Sequence, residues 1–153
     1  SALREVRLEA ILIGNAAAAL HGAPVTTLDL DFFFRKTRGN IDKLKRLARL
    51  LHATVLRPYY PVSDLFRVVC DNTGQQLDFL ATIHGVRSFE GLRARACRVD
   101  FDGIPILVAA LDDIIRSKRV AGRPRDLAVL DVLERTRDEN AKKEKAPGRK
   151  KRK

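Results

Sequence analysis

Two aspartates interrupt an otherwise bulky, mostly apolar run, Thr27-Leu28-Asp29-Leu30-Asp31-Phe32-Phe33-Phe34. The run reads as a buried strand over Leu28 to Phe34. Residues two apart in a strand share a face, so Asp29 and Asp31 are expected side by side, about 6–7 Å apart along the chain. Two ionised carboxylates that close repel each other and resist leaving water. A divalent cation between them answers both problems, because hard ions such as Mg²⁺ prefer carboxylate oxygens. A fold that buries this strand must therefore also provide for its charge.

The rest of the 153-residue chain bounds the answer. That length suits one domain with a proper core. Cys70 and Cys97 form no CxxC pair and read as small core residues of a reducing compartment. No apolar run reaches the ~18 residues of a membrane span. No signal peptide is visible, so a cytoplasmic protein is expected. The chain has no methionine, so Ser1 is not expected to be the native start.

Charge is unevenly placed. Residues 135–153 hold ten Lys/Arg against three Asp/Glu, +7 of the total +11. The expected division is a folded domain over 1–136 and a basic tail over 137–153. The tail has almost no apolar residue and is expected to be disordered or marginally helical. It reads either as a contact for phosphate backbones or as a solubilising extension. Composition alone also allows a nuclear-localisation signal.

Periodicity supplies the remaining elements. Val6 to Gly14 ends in Ile11-Leu12-Ile13-Gly14, a buried strand stopped by glycine. Asn15 to His21 is an alanine-rich helix closed by Gly22. Arg38 to His52 has helical apolar spacing with Lys/Arg opposite. Thr54 to Tyr59 reads as a strand. Leu65–Cys70 and Gln76–Thr82 form a hairpin around Asp71-Asn72-Thr73-Gly74. Val86 to Leu92 is a short helix or loop. Arg95–Val99 and Ile104–Val108 form a second hairpin. Leu111–Val120 and Pro124–Thr136 are helices. This mixed order predicts an α/β (α+β) fold, a mixed sheet with helices packed on it.

Strand, glycine turn, short helix, then Asp-x-Asp on the next strand is an arrangement with chemical meaning. Backbone N–H groups at the Gly14–Asn15 turn suit phosphate. Asp29 and Asp31 follow Gly14 by fifteen and seventeen residues, and adjacent strands would bring them beside that turn.

The segment Ile11-Leu12-Ile13-Gly14-Asn15-Ala16-Ala17, with His21-Gly22-Ala23-Pro24-Val25-Thr26-Thr27-Leu28-Asp29-Leu30-Asp31, resembles the core motif of the nucleotidyltransferase superfamily. It is most similar to the small bacterial branch that includes AbiEii-type toxins and minimal nucleotidyltransferases. The resemblance covers most of residues 8–135 and implies a nucleotidyltransferase-like mixed sheet. Asp78 is similar to the third carboxylate of that family. Leu111 to Lys118 and Gly122 to Asp126 resemble its helical segment in which a lysine faces the nucleotide. Two departures are plain: Asn15 stands where Gly or Ser is usual, and Val25 stands where many members carry Arg.

The implied roles follow. Asp29, Asp31 and Asp78 would be catalytic and would hold two Mg²⁺ ions. Gly14, Asn15, Thr27, Lys118 and Arg123 would bind the NTP. The reaction would move a nucleoside monophosphate to an acceptor hydroxyl on RNA, notably a tRNA end, or on protein. An antitoxin or other partner protein would accompany a toxin–antitoxin setting. Two rivals remain: a catalytically silent nucleotide-binding regulatory module, and a basic nucleic-acid-binding domain.

Other polar residues read as structural. Asp100 and Asp102 belong to a hairpin turn. Asp112 and Asp113 sit where carboxylates favour a helix N-terminus. Asp126 is expected to pair with Arg123 or Arg125. His21, His52 and His84 share no metal-ligand spacing, and His21 is expected to pack or cap. The Lys/Arg face of Arg38–His52 reads as a solvated face, with RNA contact as the alternative.

Overall fold

A computed structural model describes residues 5–27, 29–101 and 104–145. Its strands are β1 (Ala10–Ile13), β2 (Leu30–Phe34), β3 (Ala53–Leu56), β4 (Phe66–Cys70), β5 (Gln76–Leu80), β6 (Cys97–Phe101) and β7 (Ile104–Val108). The helices are α1 (Gly14–Leu20), α2 (Arg38–Leu50), α3 (Phe89–Arg95), α4 (Leu111–Ala121) and α5 (Pro124–Lys145). The strands form one mixed sheet in the order β3-β4-β5-β2-β1-β7-β6. The α/β expectation holds, with β2 and β1 at its centre.

Phenylalanine alternation explains why β2 is central. Phe32 stacks on Phe79 with centroids 5.1 Å apart, and Phe34 meets Phe66 and Phe79 edge-on. Phe33 points the other way and stacks on Phe89 of α3. Both faces of β2 are therefore covered, as a central strand requires. Leu44 and Leu47 bury one side of α2, and Thr37 caps its start by accepting from the Asn40 N–H. Buried Asn40 also donates to the Glu9 and Arg35 carbonyls and accepts from the Glu9 N–H, tying α2 to the chain on both sides.

Several boundaries differ from the sequence expectation, each for a local reason. β2 begins at Leu30, so Asp29 precedes the strand and is exposed. β3 ends at Leu56, where backbone bonds from Tyr60 to Arg57 and from Ser63 to Tyr59 turn the chain. β6 starts at Cys97 rather than Arg95, because Arg95 ends α3 and binds Asp113. Cys97 is exposed and Cys70 half-buried, so neither is a core residue.

The largest difference is at the C-terminus. α5 continues past Thr136 to Lys145, well into the basic segment 137–153. Good helix formers carry it on, and Asn140 anchors it by donating to the His21 carbonyl at 2.9 Å. Residues 146–153 of the expected tail lie outside the described residues, as does the Asp102-Gly103 turn.

Candidate active site

Sheet register builds the site. Ile13 of β1 pairs with Asp31 of β2, Asp31 with Asp78 of β5, and Asp78 with Arg67 of β4. Directly paired residues share a face, so Asp31, Asp78 and Arg67 stand in one row across three strands. Gly14 begins α1 immediately after β1, with φ of +68°. A Cβ added there would lie 3.3 Å from the Asp31 Oδ2. Glycine thus serves two needs: it takes the left-handed backbone and leaves room for the Asp31 carboxylate. Among the described residues, no side chain caps the start of α1, so its first N–H groups lack a side-chain partner there, and the buried Oδ1 of Asn15 has none either.

Asp29 sits at the bend before β2, where the Thr27 hydroxyl donates to its carbonyl at 2.7 Å. Thr27 therefore fixes the turn that presents Asp29. Burial raises the Asp31 pKa above its ordinary 3.8, and the charges of Asp78 and then Asp29 raise it further. Lys118 and Arg125 oppose this without reversing it.

Asp78 is held differently. Arg67 donates Nε to its Oδ1 at 3.0 Å and Nη2 to its Oδ2 at 3.2 Å. Gln76 adds a third bond to Oδ2 at 3.2 Å. The opposite wall comes from α4 and the start of α5. Lys118 is largely buried and lies 3.8 Å from the Asp126 carboxylate. Burial lowers the Lys118 pKa, more than the Asp126 charge raises it. Burial, the largest single influence, would raise the Asp126 pKa, but the hydrogen bond from Arg123 Nε, 2.6 Å away, together with the charges of Arg123 and Lys118 makes the net shift downward. Of the two cations named for Asp126 from the sequence, Arg123 is the one bound to it.

Gly14, Asn15, Thr27, Asp29, Asp31, Asp78, Lys118 and Arg123 all line one cleft of about 630 Å³. The sequence reasoning missed Arg67, Arg125 and Asp113, which line it too. Asp113, expected only to favour a helix dipole, is buried and takes two bonds from Arg95 Nε, at 2.8 and 3.1 Å. Arg67 had a signal: a four-residue turn over 71–74 sets Cys70 opposite Gln75 and therefore Arg67 opposite Asp78. Arg125 and Asp113 had none. His21 lies outside the cleft, where its Nε2 meets the Ala109 carbonyl at 2.8 Å.

The carboxylates fit a cation unequally. Among the described residues, no three His, Cys, Asp or Glu side chains gather closely enough to hold an ion. Asp29 and Asp31 offer hard oxygens and mutual repulsion that a cation would relieve. The oxygens of Asp78 are already engaged by Arg67 and Gln76.

No protein-family model matches the sequence, and no curated protein matches it. Solved structures do share its fold. A Thermotoga maritima protein assigned as a nucleotidyltransferase, TM1012, superposes with a TM-score of 0.58 at 17% identity, over 84% of this chain and 88% of that one. ANT(2'')-Ia, solved in complex with adenylyl-2''-tobramycin, gives 0.59 at 16% identity over 92% and 89%. The lincosamide antibiotic adenylyltransferase LnuA, solved with lincomycin bound, gives 0.58 at 11% over 86% and 89%. The chain has the fold of these nucleotidyltransferases.

Proposed function

We propose that this chain transfers a nucleoside monophosphate from an NTP to an acceptor hydroxyl and releases pyrophosphate. One observation carries the reading: the under-neutralised Asp31 carboxylate packs against the Gly14 turn, in a cleft that also holds the half-buried Lys118. The uncapped N–H groups at Gly14 and Asn15 suit the triphosphate, with Lys118 facing its charge. Arg123, tied to Asp126, orders the wall that carries Lys118. Asp29 and Asp31 would hold Mg²⁺, which supplies charge stabilisation at the phosphoryl oxygens when bound. Thr27 keeps the Asp29 bend in place.

The acceptor we propose is RNA. On α2, Arg38, Lys45 and Arg49 recur at spacings of seven and four, which puts them on one stripe, and all three are exposed. Lys45 also lines a second groove with Arg57 and Tyr60, whose ring lies 4.1 Å from the Arg57 guanidinium. Cations interleaved with an exposed ring suit phosphates and unstacked bases. ANT(2'')-Ia and LnuA instead pair with small antibiotics, so such hydroxyls are the competing acceptors. A cytoplasmic toxin paired with an antitoxin is the setting proposed for an RNA-directed activity. No helix among the described residues is long and apolar enough to cross a membrane.

Labelled NTPs with Mg²⁺ and, separately, total RNA, protein lysate, tobramycin or lincomycin test this. Label on RNA that is lost in Asp29→Ala is the expected result. Absence of transfer to every acceptor sinks the enzyme reading. Thermal stabilisation by NTP and Mg²⁺ without turnover would then point to the silent nucleotide-binding module.

A further inference from the structure

The family resemblance implies three carboxylates around two metal ions, yet one of the three is already bound by a cation of the protein. We propose that Arg67 takes the place of the second metal ion, so that the site holds one divalent cation at Asp29 and Asp31. Asp78 is then the positioning residue for Arg67 rather than a metal ligand. This inference rests on the nucleotidyl-transfer reading and concerns how that site is neutralised.

Three observations carry it. First, the bonds to Asp78 form a two-pronged fork, Nε to Oδ1 and Nη2 to Oδ2, at 3.0 and 3.2 Å. Such a fork matches carboxylate geometry and is stronger than a point-charge contact. Gln76 occupies Oδ2 a second time. Three of the roughly four lone-pair positions of the carboxylate are therefore used. An ion on Asp78 would have to displace the guanidinium or sit beside its positive charge.

Second, Asp78 has an ion-pair partner in Arg67, whereas Asp29 and Asp31 have none among the described residues, and one Mg²⁺ balances the two charges of that pair. Third, the arrangement is built into the sheet. Arg67 and Asp78 are direct cross-strand partners, and Asp78 is in turn the direct partner of Asp31. The Arg67 guanidinium lies 6.0 Å from the Tyr59 ring, and both side chains line the cleft. Of the five N–H donors of an arginine, about three remain for the cleft after the fork is made. Those donors can take charge developing on a phosphoryl or leaving oxygen, as arginine clamps do.

The test counts manganese. Full-length protein is titrated with Mn²⁺ in the presence of α,β-methylene-ATP, which cannot be cleaved at the reacting bond, and bound Mn²⁺ is read by electron paramagnetic resonance. One Mn²⁺ per nucleotide-bound chain is expected for the wild type and for Asp78→Asn, with affinities within a fewfold of each other. Two are expected for Arg67→Met, in which Asp78 is released. Two ions in the wild type overturn the inference, as does a tenfold or greater loss of Mn²⁺ affinity in Asp78→Asn, or a single ion in folded Arg67→Met. If Arg67→Met fails to fold, the wild-type count and Asp78→Asn still decide. No Mn²⁺ and no nucleotide bound by the wild type would instead sink the nucleotidyl-transfer reading itself.

Discussion

Two buried or half-buried carboxylates in the same cleft have opposite fates. Asp31, from the central strand, is pushed above its ordinary pKa by burial and by the charges of Asp78 and Asp29. Asp126, from the start of α5, is nearly as hidden as any core residue, yet its pKa falls because Arg123 and Lys118 face it. A buried charge that its own fold satisfies belongs to the scaffold. One that its fold leaves repelled belongs to whatever binds there.

The strongest way to break the comparison is to neutralise Asp31. Asp31→Asn should lower nucleotidyl transfer by about a thousandfold, since it removes charge stabilisation worth several kcal/mol. The same change should raise stability near neutral pH. A carboxyl whose folded pKa lies above 3.8 holds its proton more tightly in the folded chain. Its stabilising effect is complete below 3.8 and is lost as pH rises through the folded value. Charged Asp31 is thus a cost near neutral pH, and Asn removes it. Transfer assays and melting curves at about pH 7 and about pH 3.5, either side of the titration, check both halves; a melting temperature of Asp31→Asn below that of the wild type at the higher pH would contradict the contrast.

Asp126→Ala should instead lower stability. Breaking a buried ion pair costs about 3–5 kcal/mol, and the half-exposed Arg123 places this one near the lower end. The sign of the pH dependence is opposite too. The Asp126 contribution is present above 3.8 and fades as pH falls through its lowered folded value. Urea unfolding at neutral pH measures the loss. Gly14→Ala is a smaller probe of how tightly the turn fits Asp31. The left-handed backbone costs a residue with Cβ about 1–2 kcal/mol, and the 3.3 Å approach to Oδ2 should reduce nucleotide affinity as well. Calorimetric titration with α,β-methylene-ATP reads that effect. The smallest change expected is in Asn140→Ala, which loses one hydrogen bond to His21 and about 1 kcal/mol, with transfer unaffected.

Much of this is legible in the sequence. The Asp29/Asp31 pair, the Gly14 turn and the helical spacing of α2 are short-range signals, and each leads to the right element. Extending the strand back to Leu28 is an error of the same short range: apolar character continues there, but the chain bends at Asp29 and the strand starts at Leu30. Ending the last helix at Thr136 undercounts the good helix formers that continue past it, and only the Asn140 bond to His21 that anchors the extension leaves no local trace. The Arg67–Asp78 fork lies between these extremes, since it follows from the length of one hairpin turn.

The sequence by itself determined which carboxylates exist and where strands and helices carry them, because those choices follow from periodicity, turn residues and propensity within a few neighbours. Only the tertiary structure decided which of them are neutralised. Asp78 found Arg67 across a hairpin, Asp113 found Arg95 from another helix, Asp126 found Lys118 from α4 beside its local partner Arg123, and Asp31 found further carboxylates that raise its pKa. Charge pairing acts through space rather than along the chain. The strand order that set Asp31 beside Asp78 left it among like charges.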